Sequence, residues 1–426
     1  MTLSETESLA PNGIHQNTWQ TESADVEWRY TKTQRLKKAL HKASSDFRSD
    51  VVTVPTTGMM QAIIDASVGD DIYDPEGDES VNALQDKIAK LSGKEAALWT
   101  MSGTMGNQIC LRTHLTQPPH TVLLDHRAHV QCWESGALPV FSQASVTQVL
   151  PRNGVHLTVD DVRRNMIADG NSESNESAIH AAAAAVVLSL GVVHFPPTRV
   201  VSLENTLSGT ILPLRDAREI SDFVRSFPVP AGQKPVAMHL DGARLFDAVA
   251  AENGRLEEYC ASFDSVSFCL AKGVGAPMGS VIVGTKAFIE RAKWFRKMFG
   301  GGTRQPGMMA AAASAALDHT LPRLPQVHEM TRAAAKALEA LGYAFSLPVQ
   351  TNMVVVDLEA GDIPPAAFVG YCKEEGVSVF PNGRLVFHHQ TSDDGVRRLL
   401  RALELLMADK KAGKELASHK VYGGYT

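Results

Sequence analysis

The 426-residue chain contains no apolar run approaching the roughly 20 residues that a membrane span requires. It also lacks an excess of positive charge. The net charge is −6, so there is no electrostatic reason to expect a nucleic acid partner. Its five cysteines, Cys110, Cys132, Cys260, Cys269 and Cys372, are odd in number and widely scattered. None has metal-ligand spacing, so neither a disulfide framework nor a metal site is expected, and free thiols in a reducing compartment are. Met1 to Asp25 lack the apolar core of a secretory signal and the Arg-rich, acid-poor pattern of a mitochondrial presequence. Gly424-Tyr425-Thr426 forms no peroxisomal or retention address. A cytoplasmic location is the expectation.

What is present is an ordinary globular composition, 44% hydrophobic and 21% charged, on a chain too long for one core. Residues 1–45 are mostly polar and read as a partly disordered extension, within which Trp28 to Lys42 has the composition of a basic helix. Short apolar runs then alternate with helix-length segments: Ala96-Thr100, Thr121-Leu124, Ala185-Leu190, Val200-Leu203, Val236-Leu240, Ser265-Leu270 and Val281-Gly284. This pattern predicts an α/β architecture with a mainly parallel sheet covered on both faces, over residues 46–317. Asn171 to Ala185 reads as polar surface followed by packing. An alanine-rich helix at Met308 to Leu317 leads into a smaller α+β unit over residues 318–426. That unit has strands at Met353-Asp357 and Leu385-His388, and helices around Pro365-Glu375 and Asp393-Met407.

In open parallel sheets, ligands bind at the carboxyl ends of the strands, so the polar residues that follow apolar runs are the ones to inspect. After Ala96-Thr100 come Ser102, Gly103 and Thr104, a turn opening a helix; its free N–H groups and hydroxyls suit a phosphate, or simply cap the helix. The next strand is followed by His126 and His129, with a flat ring able to stack on a ligand. Val236-Leu240 ends in Asp241, with Arg244 three residues on; a carboxylate here can hold a protonated pyridine nitrogen or cap a helix. Ser265-Leu270 leads to Lys272 among glycines, where burial lowers an amine toward its reactive neutral form. The 31 residues from Asp241 to Lys272 leave room for one crossover between neighbouring strands. The pair is more specific than either half.

Taken in order, these segments resemble the threonine aldolase family of fold-type-I pyridoxal-phosphate enzymes, the beta-eliminating lyase superfamily, in a fungal-type form. The resemblance begins at Phe47-Arg48-Ser49-Asp50. It continues through Val68-Gly69-Asp70-Asp71-Ile72-Tyr73, Leu91-Ser92-Gly93-Lys94-Glu95 and all four strand ends to Gly300-Gly301-Gly302-Thr303-Arg304-Gln305. It implies an aminotransferase-like large domain, with pyridoxal 5'-phosphate held as a Schiff base on Lys272. By the same resemblance Asp241 pairs with the ring nitrogen, His129 stacks on the ring, and Ser102, Gly103 and Thr104 bind phosphate. Arg304 contributes to that phosphate site from a neighbouring subunit. Ser49, Arg244 and Arg384 match positions that hold the substrate carboxylate, a task suited to the planar guanidinium fork. A homodimer or homotetramer with shared active sites is implied as well.

The resemblance implies retro-aldol cleavage of L-threonine or L-allo-threonine to glycine and an aldehyde, with His129 as the base. Two departures bear on this. Glu204-Asn205-Thr206-Leu207-Ser208 carries Leu207 where many members have a histidine that contacts the substrate hydroxyl, and Ala271 replaces the usual serine before the lysine. Leu207 makes room for a second expectation, an alanine racemase of fungal specialised metabolism, with Lys272 serving one face of Cα and Tyr73 or a histidine the other. A third, an inactive homologue, is opposed by the joint presence of Lys272, Asp241, His129, Arg244 and Arg384.

Overall fold

The computed structural model describes residues 34–73, 76–168, 194–251 and 254–416. The run Ala185-Leu190, the segment Asn171 to Ala185, Trp28 and the final Gly424-Tyr425-Thr426 lie outside the described residues. Residues 34–43 are helical, which accounts for part of the basic helix expected there.

Seven strands form one sheet in the order β1-β7-β6-β5-β4-β2-β3: β1 Ala96–Thr100, β2 Thr121–Asp125, β3 Ser145–Val149, β4 Thr198–Glu204, β5 Ala237–Asp241, β6 Ser265–Cys269 and β7 Ser280–Gly284. The strands from β6 through β5, β4 and β2 to β3 are parallel, and β7 is antiparallel to both β1 and β6. Every residue of β2, β6 and β7 is buried, as expected where helices cover both faces. The expected mainly parallel sheet is therefore found. It also contains β3, an edge strand whose Ser-Val-Thr-Gln-Val sequence is partly exposed and offers no continuous apolar run to read.

Helix starts follow side-chain chemistry. The hydroxyl of Ser102 accepts from the Met105 N–H at the start of Gly103–His114, and the Asp78 carboxylate caps Glu79–Ser92 in the same way. Gly93 ends the latter helix at φ 65°, a backbone conformation that glycine adopts without strain. The helix Gly103–His114 lies against the sheet at Gly106, where a Cβ would stand 2.6 Å from Ser267 Oγ. Any larger residue there would push the helix off β6.

A second core gathers helices Leu324–Leu341, Pro365–Glu374 and Asp393–Lys411 around the antiparallel pair β8 Met353–Val355 and β9 Arg384–Val386. Phe47 is fully buried in it, edge-on to Phe387 at 5.1 Å, and its carbonyl accepts from the Val386 N–H. The segment 46–50 thus packs with the later residues before the chain enters the large sheet. None of the described helices is long and apolar enough to cross a membrane.

Candidate active site

The carboxyl ends of β4, β5 and β6 deliver Glu204, Asp241 and, three residues beyond Cys269, Lys272. Glu204 and Asp241 are register partners on adjacent parallel strands. Asp241 is buried. One carboxylate oxygen accepts from Asn107 Nδ2 at 2.7 Å and the other from the Ala243 N–H at 3.0 Å. Lys272 lines a cavity of about 330 Å³ with Ser49, His129, Glu204, Leu207, Arg244 and Arg384. Among the described residues its amine has no hydrogen bond or ion pair.

His129 enters from the turn after β2. Its backbone N–H donates to Glu204 Oε2 at 2.8 Å, and its Nδ1 lies 2.9 Å from Glu134 Oε1. Glu134 also accepts from Asn107 and Gln108, so a continuous chain of hydrogen bonds runs from His129 through Glu134 and Asn107 to Asp241. Burial alone would lower the His129 pKa, but the ring's hydrogen bond to Glu134 and the charge of Asp241 outweigh it and raise it. His129, Glu134 and Asp241 stand close enough to suggest a metal site. However, the Asn107 amide donates to both carboxylates from between them, where a shared cation would have to sit. Glu204 is pushed up to about 7, by burial first and by neighbouring Asp241 second.

The two arginines differ. Arg244 is bound through Nε and Nη2 to both oxygens of Asp50, each at 2.7 Å, and the pair is buried. Burial disfavours its charge, yet Asp50 holds its pKa up. Arg384 donates only to the Arg48 carbonyl, at 3.2 Å, and its buried Nε has no partner among the described residues. Burial and the nearby Arg244 depress it. Of the two, Arg384 is the guanidinium that no protein carboxylate holds among the described residues. Ser49 lines the cavity, its hydroxyl accepting from the Val51 N–H at 3.4 Å.

Ser102, Gly103 and Thr104 form the first turn of the helix that carries Asn107. A Cβ on Gly103 would stand 3.8 Å from Cys269 Sγ, which places this helix start next to the Lys272 loop. Tyr73 and Arg304 are not brought to the cavity within one chain. Tyr73 is 77% exposed, and the Arg304 guanidinium lies over its ring at 4.5 Å and pairs with Asp70 at 3.2 Å. Sequence reasoning gave no role to Asn107, Glu134, Glu204 or Asp50. Asp50 and Glu204 stood inside segments already singled out and Asn107 follows the Ser102-Gly103-Thr104 turn, whereas Glu134 carried no local signal.

A mainly parallel sheet with a lysine, an acid and a histidine gathered at its strand ends is the architecture of fold-type-I enzymes. The comparisons agree. The family model described as beta-eliminating lyase matches residues 46–361. A low-specificity L-threonine aldolase of Candida albicans is 39% identical over 360 residues, covering 84% of this chain and 89% of that protein. The alanine racemase TOXG of Cochliobolus carbonum is 34% identical over 376 residues, covering 86% and 89%. A threonine aldolase structure from Leishmania major superposes with a TM-score of 0.63 at 17% identity, covering 85% of this chain and 98% of that one. The chain belongs to the beta-eliminating lyase family, in its threonine aldolase branch.

Proposed function

We propose that this protein is a pyridoxal-phosphate-dependent aldolase that cleaves L-threonine or L-allo-threonine to glycine and an aldehyde. The observation that carries the reading is the unpaired amine of Lys272, facing a cavity at the strand ends beside the buried, doubly hydrogen-bonded Asp241. When bound, the cofactor supplies an aldehyde for that amine and an electron sink for the bond that breaks. Asp241 would hold the ring nitrogen's proton, and His129 would lie against the ring with its orientation set by Glu134. The Ser102-Gly103-Thr104 turn would take the phosphate through N–H groups at a helix start. Arg384 would grip the substrate carboxylate, with Ser49 as a second donor; Arg244 would shape that site while bound to Asp50.

Residues 46–317 would be the cofactor-binding unit, apart from the opening segment 46–50 that packs in the second core, and 318–426 the smaller one, behind an extension over 1–45. Arg304 and Tyr73, outside the cavity of their own chain, would serve a second copy in a homodimer or homotetramer. A cytoplasmic location is part of the same reading.

Leu207 lines the cavity and offers the substrate hydroxyl no polar partner, which favours the racemase as a second reading. Offering the holoenzyme L-threonine, L-allo-threonine and L-alanine in heavy water separates the two. Glycine and aldehyde at high turnover are expected. Rapid D-alanine formation with negligible threonine cleavage would replace the aldolase by the racemase, and a protein unable to bind the cofactor would point to an inactive homologue.

A further inference from the structure

Retro-aldol cleavage requires a group that removes the proton from the substrate's β-hydroxyl. Leu207 has none to offer, and the Nδ1 of His129 is engaged by the fully buried Glu134 carboxylate, which leaves only its Nε2 for the task. Glu204 is differently placed. It ends β4 one strand from Asp241 and lines the same cavity as Lys272 and Leu207. Its Oε2 accepts the His129 backbone N–H, which fixes the carboxyl group, while no hydrogen bond or ion pair among the described residues engages Oε1.

We propose that Glu204 is the base that takes the β-hydroxyl proton; the inference rests on the aldolase reading. As Glu204 accepts that proton, the carbon–oxygen double bond of the aldehyde forms and the Cα–Cβ bond breaks, its electron pair going to the electron sink that a bound cofactor would supply. One proton then returns to Cα, so one amino acid gives glycine and one aldehyde with no oxidant or other reactant. The groups facing Glu204 are Asp241 on β5, Lys272 beyond β6, and His129 and Cys132 from the helix His129–Cys132; Arg127 and Arg244 line the same cavity. Burial and Asp241 bring Glu204 to about 7, against the opposing effects of Lys272 and His129. A base of that strength is half ionised near neutrality, where proton transfer is most effective.

The test compares wild-type, Glu204→Gln and Glu204→Asp holoenzymes. Two rates are measured across pH: L-threonine cleavage, and exchange of the glycine Cα hydrogen with heavy water, which needs no hydroxyl proton removed. Amino acid binding is followed by the change in cofactor absorbance. For E204Q the ratio of cleavage to exchange is expected to fall at least about a hundredfold. The loss of wild-type cleavage below about pH 7 should vanish with it, while amino acids still perturb the absorbance. E204D, which keeps a displaced carboxylate, should recover part of the ratio and the pH limb. Equal losses of cleavage and exchange, or an E204Q profile with its acid limb intact, would overturn the assignment. A wild-type enzyme that releases no glycine from threonine would overturn the aldolase reading and this inference together; retained cleavage in E204Q would overturn only the inference.

Discussion

Arg244 and Asp50, 194 positions apart in the chain, are joined by two parallel hydrogen bonds of 2.7 Å, with Asp50 fully buried and Arg244 nearly so. The segment that begins at Asp46 packs with the second core, while Arg244 follows β5 of the large sheet. The pair therefore ties the two cores together at the edge of the cavity.

Asp50→Ala would leave a buried guanidinium without its counter-ion, at a cost of about 3–5 kcal/mol. Denaturant unfolding should show a lower midpoint. The sign with pH follows from the direction of the shift. Burial acts to raise the Asp50 carboxyl, but Arg244 outweighs it and holds the folded value below the ordinary 3.8. Its contribution is present above that ordinary value and is lost as pH falls through the lower folded one. Wild type and variant should therefore converge in stability only in strong acid.

Arg384 lacks the carboxylate partner that holds Arg244. Removing a hydrogen bond to a charged ligand costs about 1.5–3 kcal/mol, so Arg384→Ala should raise the KM for L-threonine about 10- to 100-fold. Steady-state kinetics would show this. Arg384→Lys should recover little, because an ammonium cannot reproduce the fork. An unchanged KM in the alanine variant would remove Arg384 from the substrate site.

Glu134 sets the protonation of His129 through a 2.9 Å contact. Glu134→Gln should lower the midpoint of the His129 ring, read from its NMR chemical shift against pH. The raised His129 value stabilises the fold fully below the ring's ordinary 6.5 and is lost as pH rises through the folded value. The variant should consequently lose its stability deficit on the alkaline side. A midpoint that does not move would show that Glu134 only packs.

Lys272 and Asp241 were legible because each directly follows an apolar run, and their spacing of one crossover matched the adjacency later seen between β5 and β6. The parallel sheet was legible for the same reason. β3 was not, because an edge strand needs only one covered face and its polar residues break the pattern. Glu134 was invisible because its partners, Asn107 and Gln108, lie 27 and 26 residues away on another helix. Asp50 presents the same difficulty over a longer span. Tyr73 was read as catalytic from a chain position, yet its ring lies under Arg304 on the surface.

Borohydride reduction of the holoenzyme followed by peptide mapping shows which lysine holds the cofactor. The reduced cofactor is expected on the peptide containing Lys272, and Lys272→Ala should lose both the label and all turnover. A label on another lysine, or full activity in Lys272→Ala, would contradict the covalent role of Lys272.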